Sequence, residues 1–426
     1  MGGPDDSIDP GDSTDVVDPI DPHTPSMTLT TAVVLAGGEG RRLQPLTANR
    51  PKPLLPAGGR PILEHVLDGL VADGIDELHV VIGYRGDRVR DRFGPTYRGV
   101  DIVYHRQAKR LGSGHALLQA REAIDDPFVV ANGDQLVDPA LVSDVTDVHR
   151  DADAIATIGV VRTAAATRYG AVDLDADDMV RDLIERPGEG DHELLNAGVY
   201  AFDPGFFDVL AETPRVEGSL PLPTVVAAAA DEPDLSVRGV RTEGFWTDAT
   251  HPWDLLEASR RLFERGWIHV SDVPENGRWI ADSARVHPAA TLHEPVAVDA
   301  DAVIGPGAVV GPDAVVGRNA TVDANAVVRR TVLDEDVRVG ANATLVDCVA
   351  GQQARIGPGV TAAGGPADVR VGTDVHPERR LSAVIADRAT IESGATVGGG
   401  VLIGPNATVR DGARIRMNVD GGEVVR

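Results

Sequence analysis

The sequence predicts two folded parts of different class, a mostly parallel α/β domain followed by a left-handed parallel β-helix. Two observations carry this prediction. Between residues 30 and 266, short apolar runs alternate with helical patterns, which is typical of parallel strands joined by crossover helices. Beyond residue 281, aliphatic residues recur every six positions. A chain of 426 residues is also long enough to need more than one core.

The first part contains the elements of an α/β sheet. Short apolar runs predict strands at 31–35, 78–82, 102–105 and 128–131. Apolar residues at helical spacing predict helices at 62–73, 114–124 and 253–265. The first strand, the first helix and the second strand follow one another closely, as in a βαβ unit.

Changes in composition and period set the predicted domain boundaries. We assign 29–266 to the α/β domain, 267–280 to a linker and 281–426 to the β-helix. Residues 1–28 are acidic, rich in Pro and poor in apolar side chains, so they are predicted to form a disordered tail. Met27 stands just before the first predicted strand and is an alternative start.

The six-residue repeat predicts the fold of the second part. Its aliphatic positions are Val286, Leu292, Val298, Ile304, Val310, Val316, Val322 and Val328, then Leu333, Val339 and Leu345 after a slip of one, and later Ile385, Ile391, Val397, Ile403, Val409 and Ile415. Small residues follow four positions later at Ala290, Ala302, Ala308, Ala314, Ala320 and Ala326. A period of six fits one flat face of a triangular β-helix, whereas a helix of 3.6 residues per turn cannot keep it in phase.

The charge balance narrows the choice of partners and surroundings. The formal net charge is -26, and Lys52 and Lys109 are the only lysines. Nucleic acid or an anionic membrane would repel such a chain, so neither is an expected partner. Acidity with so little lysine indicates a halophile, although an ordinary acidic cytosolic enzyme has a similar balance. The single Cys348, the lack of a signal-peptide pattern and the lack of a long apolar run predict a cytoplasmic protein.

Two segments near the start of the α/β domain suit phosphate chemistry. The first predicted strand runs into the glycine-rich segment 35–43 (LAGGEGRRL), whose backbone N–H groups can approach phosphate oxygens because no Cβ blocks them. The segment 50–56 (RPKPLLP) then holds one lysine, Lys52, between prolines. The structural alternatives are that segment 35–43 is only a turn after a strand, and that segment 50–56 is only a stiff loop with a solvent-exposed lysine.

Two aspartates suit a magnesium site. Asp134 follows a predicted strand at the carboxyl edge of the sheet, where ligands of α/β proteins bind, and Asp248 follows an aromatic pair much later in the chain. Two carboxylates with phosphate oxygens and water are the ligands that Mg²⁺ prefers. A lone Asp in a turn is more often only a turn former.

Together these segments resemble the sugar-1-phosphate nucleotidyltransferases, the family of glucose-1-phosphate thymidylyltransferases and uridylyltransferases, over residues 31 to 265. The resemblance implies a Rossmann-like nucleotidyltransferase domain and assigns roles to residues of this chain. Arg42 and Lys52 would be catalytic, and Asp134 and Asp248 would bind Mg²⁺. The nucleotide would be bound by Leu35, Gly37, Gly38, Gln107 and Gly112. The sugar would be bound by Gly170, Glu185, Arg186, Asn196 and Gly198.

The implied reaction joins a sugar 1-phosphate to a nucleoside triphosphate and releases pyrophosphate. The expected triphosphate is dTTP or UTP, because both pyrimidines present the same edge to Gln107. Glucose 1-phosphate is the expected acceptor, with thymidylyl transfer the first choice. Uridylyl transfer to glucose 1-phosphate or to N-acetylglucosamine 1-phosphate is an alternative. A second alternative is a non-catalytic regulatory subunit. Such a subunit would not need Arg42, Lys52 and both aspartates, Asp134 and Asp248.

The β-helix raises the question of a second activity, because it resembles archaeal bifunctional enzymes that also acetylate an amino-sugar phosphate. Ala341 and Thr344 stand where that family has His and Tyr, and Gly364 where it has Asn. The β-helix also contains no lysine. Since the acid–base groups for acetyl transfer are missing, a structural or regulatory module that forms a trimer or a higher homo-oligomer is favoured over an active acetyltransferase.

Overall fold

A computed structural model describes residues 29–163, 166, 169–185, 187, 192–270 and 275–426. The predicted tail at 1–28 and the segment 188–191 lie outside these residues. The described chain forms an α/β domain and a β-helix, which confirms the predicted fold class. No helix in the described ranges is both long enough and apolar enough to cross a membrane.

The described residues of the α/β domain form fourteen strands and seven α-helices. The strands are β1 (Thr31–Ala36), β2 (Pro56–Ala57), β3 (Arg60–Pro61), β4 (Glu77–Ile82), β5 (Thr96–Tyr97), β6 (Val100–Arg106), β7 (Phe128–Asn132), β8 (Gln135–Val137), β9 (Ala156–Arg162), β10 (Gly170–Leu174), β11 (Val180–Glu185), β12 (Leu194–Phe202), β13 (Val237–Thr242) and β14 (Trp246–Asp248). The helices are α1 (Ile62–Ala72), α2 (Gly86–Phe93), α3 (Ser113–Leu117), α4 (Pro139–Asp151), α5 (Phe206–Glu212), α6 (Leu222–Asp231) and α7 (Asp254–Arg265).

Ten of these strands form one sheet in the order β11-β10-β12-β7-β1-β4-β6-β5, with β9 also paired to β12 and β13 paired to β9. The strands β7, β1, β4 and β6 are parallel to one another. The strands β1, β4 and β7 are almost entirely buried, as strands covered by helices on both faces are, whereas β6, near the edge of the sheet, is mostly exposed or half-buried. The strands β10, β11 and β12 are antiparallel to their neighbours. The alternation of strands and helices seen in the sequence therefore corresponds to the parallel strands β7, β1, β4 and β6. The antiparallel strands β10, β11 and β12 extend the sheet on the β7 side.

The four predicted strands are present, but one predicted helix is divided. The segment 114–124 begins as the short helix α3 and continues as a 3₁₀ helix at Leu118–Ala123. Three further 3₁₀ turns, at Arg41–Leu43, Leu46–Ala48 and Lys52–Leu54, shape the segment after β1. Its Pro residues lack the N–H groups that a longer helix would need.

The second part winds through twenty-four short strands. They are β15 (Arg278–Ile280), β16 (Arg285–Val286), β17 (Thr291–Leu292), β18 (Val296–Val298), β19 (Val303–Ile304), β20 (Val309–Val310), β21 (Ala314–Val316), β22 (Thr321–Val322), β23 (Val327–Arg329), β24 (Val332–Leu333), β25 (Arg338–Val339), β26 (Thr344–Val346), β27 (Cys348–Ala350), β28 (Arg355–Ile356), β29 (Thr361–Ala362), β30 (Pro366–Val371), β31 (Asp374–Arg380), β32 (Ala383–Ile385), β33 (Thr390–Ile391), β34 (Thr396–Val397), β35 (Val401–Ile403), β36 (Thr408–Val409), β37 (Arg414–Ile415) and β38 (Val424–Val425). All except β30 and β31 form three parallel sheets, which are the faces of the β-helix.

Each strand of the β-helix pairs with the strand one coil later. Partners such as Arg278 and Val296 are 18 residues apart, and partners such as Val315 and Val332 are 17 apart, which accounts for the slip in the repeat. The repeating aliphatic side chains fill one continuous core. Because Arg278–Ile280 already pairs in a β-helix sheet, the predicted linker at 267–280 is too long at its C-terminal end.

The two parts share an apolar interface and a buried ion cluster. In the sheet β15-β18-β21-β24-β27-β32-β35 the central residues of the strands, such as Ala297 and Val315, lie outside the coil core and form one buried cluster with Leu262 and Phe263 of α7. Beside them, the guanidinium of Arg50 lies 2.5 Å from Asp334 and 3.1 Å from Asp387, two β-helix carboxylates. The segment that carries Lys52 is therefore anchored on the β-helix.

Candidate active site

A cavity of about 760 Å³ lies at the carboxyl ends of β1 and β7. This is the edge of a parallel sheet at which α/β proteins bind their ligands. The predicted site residues that line it are Leu35, Gly37, Gly38, Arg42, Gln107, Gly112, Asp134, Gly170, Glu185, Asn196 and Asp248. The structure thus brings eleven of the fourteen predicted residues to one cavity, although the chain order spreads them over some 210 positions.

The glycine-rich segment forms one end of this cavity. Gly40 has a φ of 66° and leads into the 3₁₀ turn at Arg41–Leu43, which turns the two arginines in different directions. Arg41 pairs with Glu39 at 2.9 Å, whereas Arg42 is exposed toward the cavity and has no carboxylate partner in the described part of the chain. Arg42 is thus free to bind an anion.

Lys52 lies beneath the cavity, between the two predicted metal ligands. Its Nζ is 3.0 Å from Asp134 Oδ2 and forms a short ion pair with Asp248 Oδ1. Burial disfavours the charged lysine, but the two carboxylates outweigh burial and raise the pKa of Lys52 above its ordinary value. Thr250 also donates a 2.6 Å hydrogen bond to Asp248 Oδ2. The three charges are therefore fixed relative to one another before any ligand arrives.

Gln107 and Gly112 form the wall opposite the glycine-rich segment. The amide nitrogen of Gln107 donates to the carbonyl oxygen of Gly112 at 2.9 Å, and Gln107 Oε1 lies next to Gly37. Gly112 has a φ of 99°, and a Cβ at this position would collide with the carbonyl oxygen of Leu220. Only glycine fits here, and the free acceptor of Gln107 faces the space between the two segments.

Glu185 and Asn196 form the far end of the cavity on antiparallel strands. Glu185 is opposite Gly170 in the β10–β11 register, and a Cβ on Gly170 would lie 3.7 Å from Glu185 Oε1. Asn196 donates to the hydroxyl of Tyr200 at 2.8 Å and accepts from the N–H of Gly198 at 3.1 Å. Burial raises the pKa of Tyr200, so its hydroxyl remains protonated. A carboxylate and an oriented amide are suitable partners for sugar hydroxyls.

Two of the predicted residues that the structure describes, Lys52 and Gly198, are not on the cavity wall. Lys52 reaches the cavity only through Asp134 and Asp248. Gly198 was expected to contact the sugar, but it packs behind the wall against Asn132 and Gln135 and orients Asn196 through its N–H group. Arg186 lies outside the described residues.

The cavity also contains residues that the sequence did not single out. Four of them come shortly after Asp248 in the sequence, namely Thr250, His251, Trp253 and Asp254. Their closeness to a predicted metal ligand could have identified them as site residues. His376 and Arg379 come from the β-helix and gave no such signal. Arg379 belongs to the β-helix part of the chain, yet the structure places it at the cavity of the other domain.

The fold and the site together define an α/β protein with a cavity for phosphorylated ligands at the carboxyl edge of its parallel strands. The sequence pattern of the family described as "Nucleotidyl transferase" matches residues 31–265, and that of the "GMPPB C-terminal domain" matches residues 292–381. The first match covers more than half of the chain. The chain therefore belongs to the nucleotidyl transferase family, as its motifs predicted.

Curated relatives agree with this assignment. The protein described as "Bifunctional protein GlmU" of Methanococcus maripaludis is 31% identical over 264 residues, which are 61% of this chain and 61% of that relative. The chain thus spans about three-fifths of the length of that relative. "UTP--glucose-1-phosphate uridylyltransferase AglF" of Haloferax volcanii is 34% identical over 242 residues, which are 55% of this chain and 96% of that relative.

Solved structures share the fold of the α/β domain. A UDP-glucose pyrophosphorylase complexed with UDP-glucose has a TM-score of 0.51 and 20% identity, and the match covers 56% of this chain and 99% of that one. A putative glucose-1-phosphate thymidylyltransferase from Bacillus anthracis has a TM-score of 0.50 and 23% identity, with 54% and 94% covered. At these identities the likeness concerns the fold alone.

Proposed function

We propose that this protein transfers a nucleotidyl group from UTP or dTTP to a sugar 1-phosphate, with release of pyrophosphate. The observation that carries the proposal is the Lys52–Asp134–Asp248 cluster, which lies between the glycine-rich segment at one end of the cavity and Glu185 and Asn196 at the other. A cavity with this layout has room for a nucleotide and a sugar with their phosphates meeting at the charged cluster.

The chemistry needs positioning and charge neutralisation more than proton transfer. A phosphate oxygen of the sugar 1-phosphate attacks the α-phosphorus in line, and pyrophosphate leaves. The attacking oxygen is already anionic at neutral pH, so the cavity needs no general base. Arg42 binds the triphosphate from the glycine-rich segment, and the ammonium of Lys52 offsets the carboxylate charge beside the α-phosphate. Gln107 Oε1 accepts the ring N–H of the pyrimidine.

Asp134 and Asp248 are the residues that would hold Mg²⁺ in this proposal. In the described part of the chain, no cluster of three or more His, Cys, Asp or Glu side chains is placed to hold a metal ion. Two carboxylates nevertheless fit Mg²⁺, which commonly takes one or two protein carboxylates and completes its octahedron with substrate phosphates and water. When bound, it would neutralise phosphate charge. Lys52 keeps the two carboxylates together until the phosphates arrive.

The relatives favour UTP and glucose 1-phosphate as the first pair to test. The relative described as a UTP–glucose-1-phosphate uridylyltransferase is 34% identical and is matched over 96% of its length. The bifunctional relative is matched over only 61% of its length. The order of preference is therefore UTP before dTTP, and glucose 1-phosphate before N-acetylglucosamine 1-phosphate.

Pyrophosphate release by the purified protein tests the proposal. The assay contains Mg²⁺ and high KCl and covers UTP, dTTP, CTP and GTP against glucose 1-phosphate, N-acetylglucosamine 1-phosphate and two other sugar 1-phosphates. We expect release that depends on both a pyrimidine triphosphate and a sugar 1-phosphate, and its loss in Asp248→Asn. If folded protein releases none with any pair, the catalytic proposal is wrong, and nucleotide-sugar binding would then indicate a regulatory subunit.

A further inference from the structure

A hairpin of the β-helix reaches the cavity of the α/β domain. The strands β30 and β31 interrupt the coil between β29 and β32 and pair only with each other. Val369 and Val371 of this hairpin are buried in the apolar interface between the two parts, so the hairpin is held against the α/β domain. Two of its side chains, His376 and Arg379, line the cavity.

A β-bulge aims these two side chains at the same cavity. In a regular strand, residues three apart point to opposite faces. The register of the hairpin shifts between Ala367, which pairs with Arg379, and Val369, which pairs with His376. The shift is accompanied by a φ of 52° at Glu378. Bulges of this kind are frequent beside functional sites, where they redirect a side chain.

An aromatic platform receives the hairpin on the cavity side. His251 and Trp253, in the loop between β14 and α7, stack at 4.5 Å with an angle of 7° between their rings. His376 contacts His251 edge-on at 4.7 Å, and the guanidinium carbon of Arg379 lies 5.5 Å from the centre of the Trp253 ring. The guanidinium thus lies within cation–π distance of the Trp253 ring, a contact that leaves its N–H groups available.

Arg379 is a cation without a carboxylate partner in the described ranges of the chain. The nearby carboxylates are already engaged by other groups. Asp248 accepts from Lys52 and Thr250, and Asp254 accepts from the backbone N–H groups of Thr250 and His251 at 3.0 and 2.7 Å. An arginine stacked on an aromatic ring, close to carboxylates that are already paired, is suited to an incoming phosphate.

We propose that Arg379, carried by the β-helix hairpin and oriented by Trp253, binds a phosphate group of a substrate in the nucleotidyltransferase cavity. The inference rests on the proposed function for the identity of the substrates. It makes the β-helix a contributor to the site rather than only a support. The phosphate has two sources with the same chemistry, the pyrophosphate portion of the triphosphate and the phosphate of the sugar 1-phosphate.

The test compares Arg379→Gln with Arg380→Gln in the full-length protein. Arg380 is the next residue, is also exposed and is not on the cavity wall, so it is a matched control. Steady-state kinetics are measured for both substrates in the forward direction and for pyrophosphate in the reverse direction. Loss of one charge-assisted phosphate contact should raise the affected KM about 10- to 100-fold.

The pattern of KM values identifies the phosphate. Higher KM for pyrophosphate and the triphosphate, with little change for the sugar 1-phosphate, assigns Arg379 to the leaving group, and the reverse pattern assigns it to the acceptor. Arg379→Lys should recover part of the loss, because it keeps the charge but not the planar stacked donor. Unchanged KM values in Arg379→Gln, or an equal effect in Arg380→Gln, would overturn the inference.

Binding of inorganic pyrophosphate and of glucose 1-phosphate, measured by calorimetry without turnover, separates this inference from the proposed function. The wild type could lack transferase activity and still bind one of the two ligands at least about 10-fold more tightly than Arg379→Gln does. In that case the phosphate-binding role of Arg379 is supported and the proposed reaction is wrong. If the wild type is active and Arg379→Gln has the same kinetics and binding, the proposed reaction is supported and the phosphate-binding role of Arg379 is wrong. If the wild type neither turns over nor binds either ligand, both are wrong.

Discussion

Arg41 and Arg42 are neighbours in the sequence with different surroundings in the fold. Arg41 is paired with Glu39, while Arg42 faces the cavity without a carboxylate partner in the described residues. Because an arginine at the triphosphate acts on charge that develops as pyrophosphate leaves, Arg42→Ala should lower kcat about 100-fold or more. Binding of the sugar 1-phosphate should change little. Arg41→Ala is the control and should remain within about 2-fold of wild type.

Steady-state kinetics with both variants decide the role of Arg42. Turnover near the wild-type value in Arg42→Ala would refute it. An equal loss in both variants would show that the whole glycine-rich segment, rather than one guanidinium, had been disturbed.

Lys52 joins Asp134 and Asp248, and this position suggests a test of the metal proposal. In Lys52→Met the two carboxylates lose their shared cation, so they should bind a divalent ion more tightly in the absence of substrates, by about 10-fold. Turnover should nevertheless fall, because the charge beside the α-phosphate is gone. Mn²⁺ binding followed by electron paramagnetic resonance measures the first effect.

Lys109→Met is the matched control, since Lys109 is the only other lysine and is exposed. It should bind Mn²⁺ as the wild type does. If Lys52→Met also leaves Mn²⁺ binding unchanged, or weakens it, then the two aspartates are not the metal ligands.

For individual residues, the sequence predicted which ones come together at the cavity but not the contacts that each one makes there. Eleven predicted residues line the cavity. Those that follow β1 and β7 meet there because strand ends in a parallel sheet share one edge, whereas those on β10, β11 and β12 reach it on antiparallel strands. The packing of Gly198 behind Asn196 could not be predicted, since it depends on the side chains of Asn132 on β7 and Gln135 on β8. The position of Arg379 depends on an interface between two domains, which no local pattern encodes.

Single strands of the β-helix are only two or three residues long, so their stability comes from the stack of side chains inside the coil. Ile391 is fully buried between Ile356 of the previous coil and Val409 of the next. Ile391→Ala should therefore lower the free energy of unfolding by about 2–5 kcal/mol, because the closed coil cannot collapse into the space. Denaturant titration in high KCl measures this change.

Thr390→Ala is the control for that stack. Thr390 is the preceding residue of the same strand and points outward, so its loss should cost at most about 0.5 kcal/mol. A similar cost for both variants would contradict a core that depends on the inward side chains.

The elements that the sequence predicted well are those with a strong period. A repeat of six has only one regular solution among common folds, so the β-helix followed from Val286 onward. The hairpin of β30 and β31 has neither that period nor a regular alternation, because its bulge breaks the alternation. The division of 114–124 into α3 and a 3₁₀ helix could not be predicted from the sequence either, because the two kinds of helix have similar apolar spacing.

The interface between the two parts contains a charge cluster whose loss should affect the whole molecule. Burial raises the pKa of Asp387, and the neighbouring Arg50 opposes that rise. Arg50→Met leaves Asp334 and Asp387 buried without their shared cation, which should cost about 3–5 kcal/mol of unfolding free energy. Calorimetry should show a lower unfolding temperature than for the wild type.

Two further variants make this prediction specific. Arg92 pairs with Glu335 at 2.8 Å across the same boundary but is more than one-third exposed, so Arg92→Met should cost no more than about 1 kcal/mol. Replacing Asp334 and Asp387 by Asn together with Arg50→Met should restore part of the stability, because no buried charge remains. If Arg50→Met costs no more than Arg92→Met does, the buried cluster does not join the two parts.

The apolar contact beside that cluster also affects how the protein can change during evolution. Leu262 and Phe263 on one side and Ala297 and Val315 on the other belong to one buried apolar cluster, and a close-packed cluster leaves little room for a change of side-chain volume. A larger residue on one side is tolerated only with a smaller one opposite. We therefore expect substitutions at these positions to covary among descendants of this sequence, so that the two domains are inherited as a matched pair.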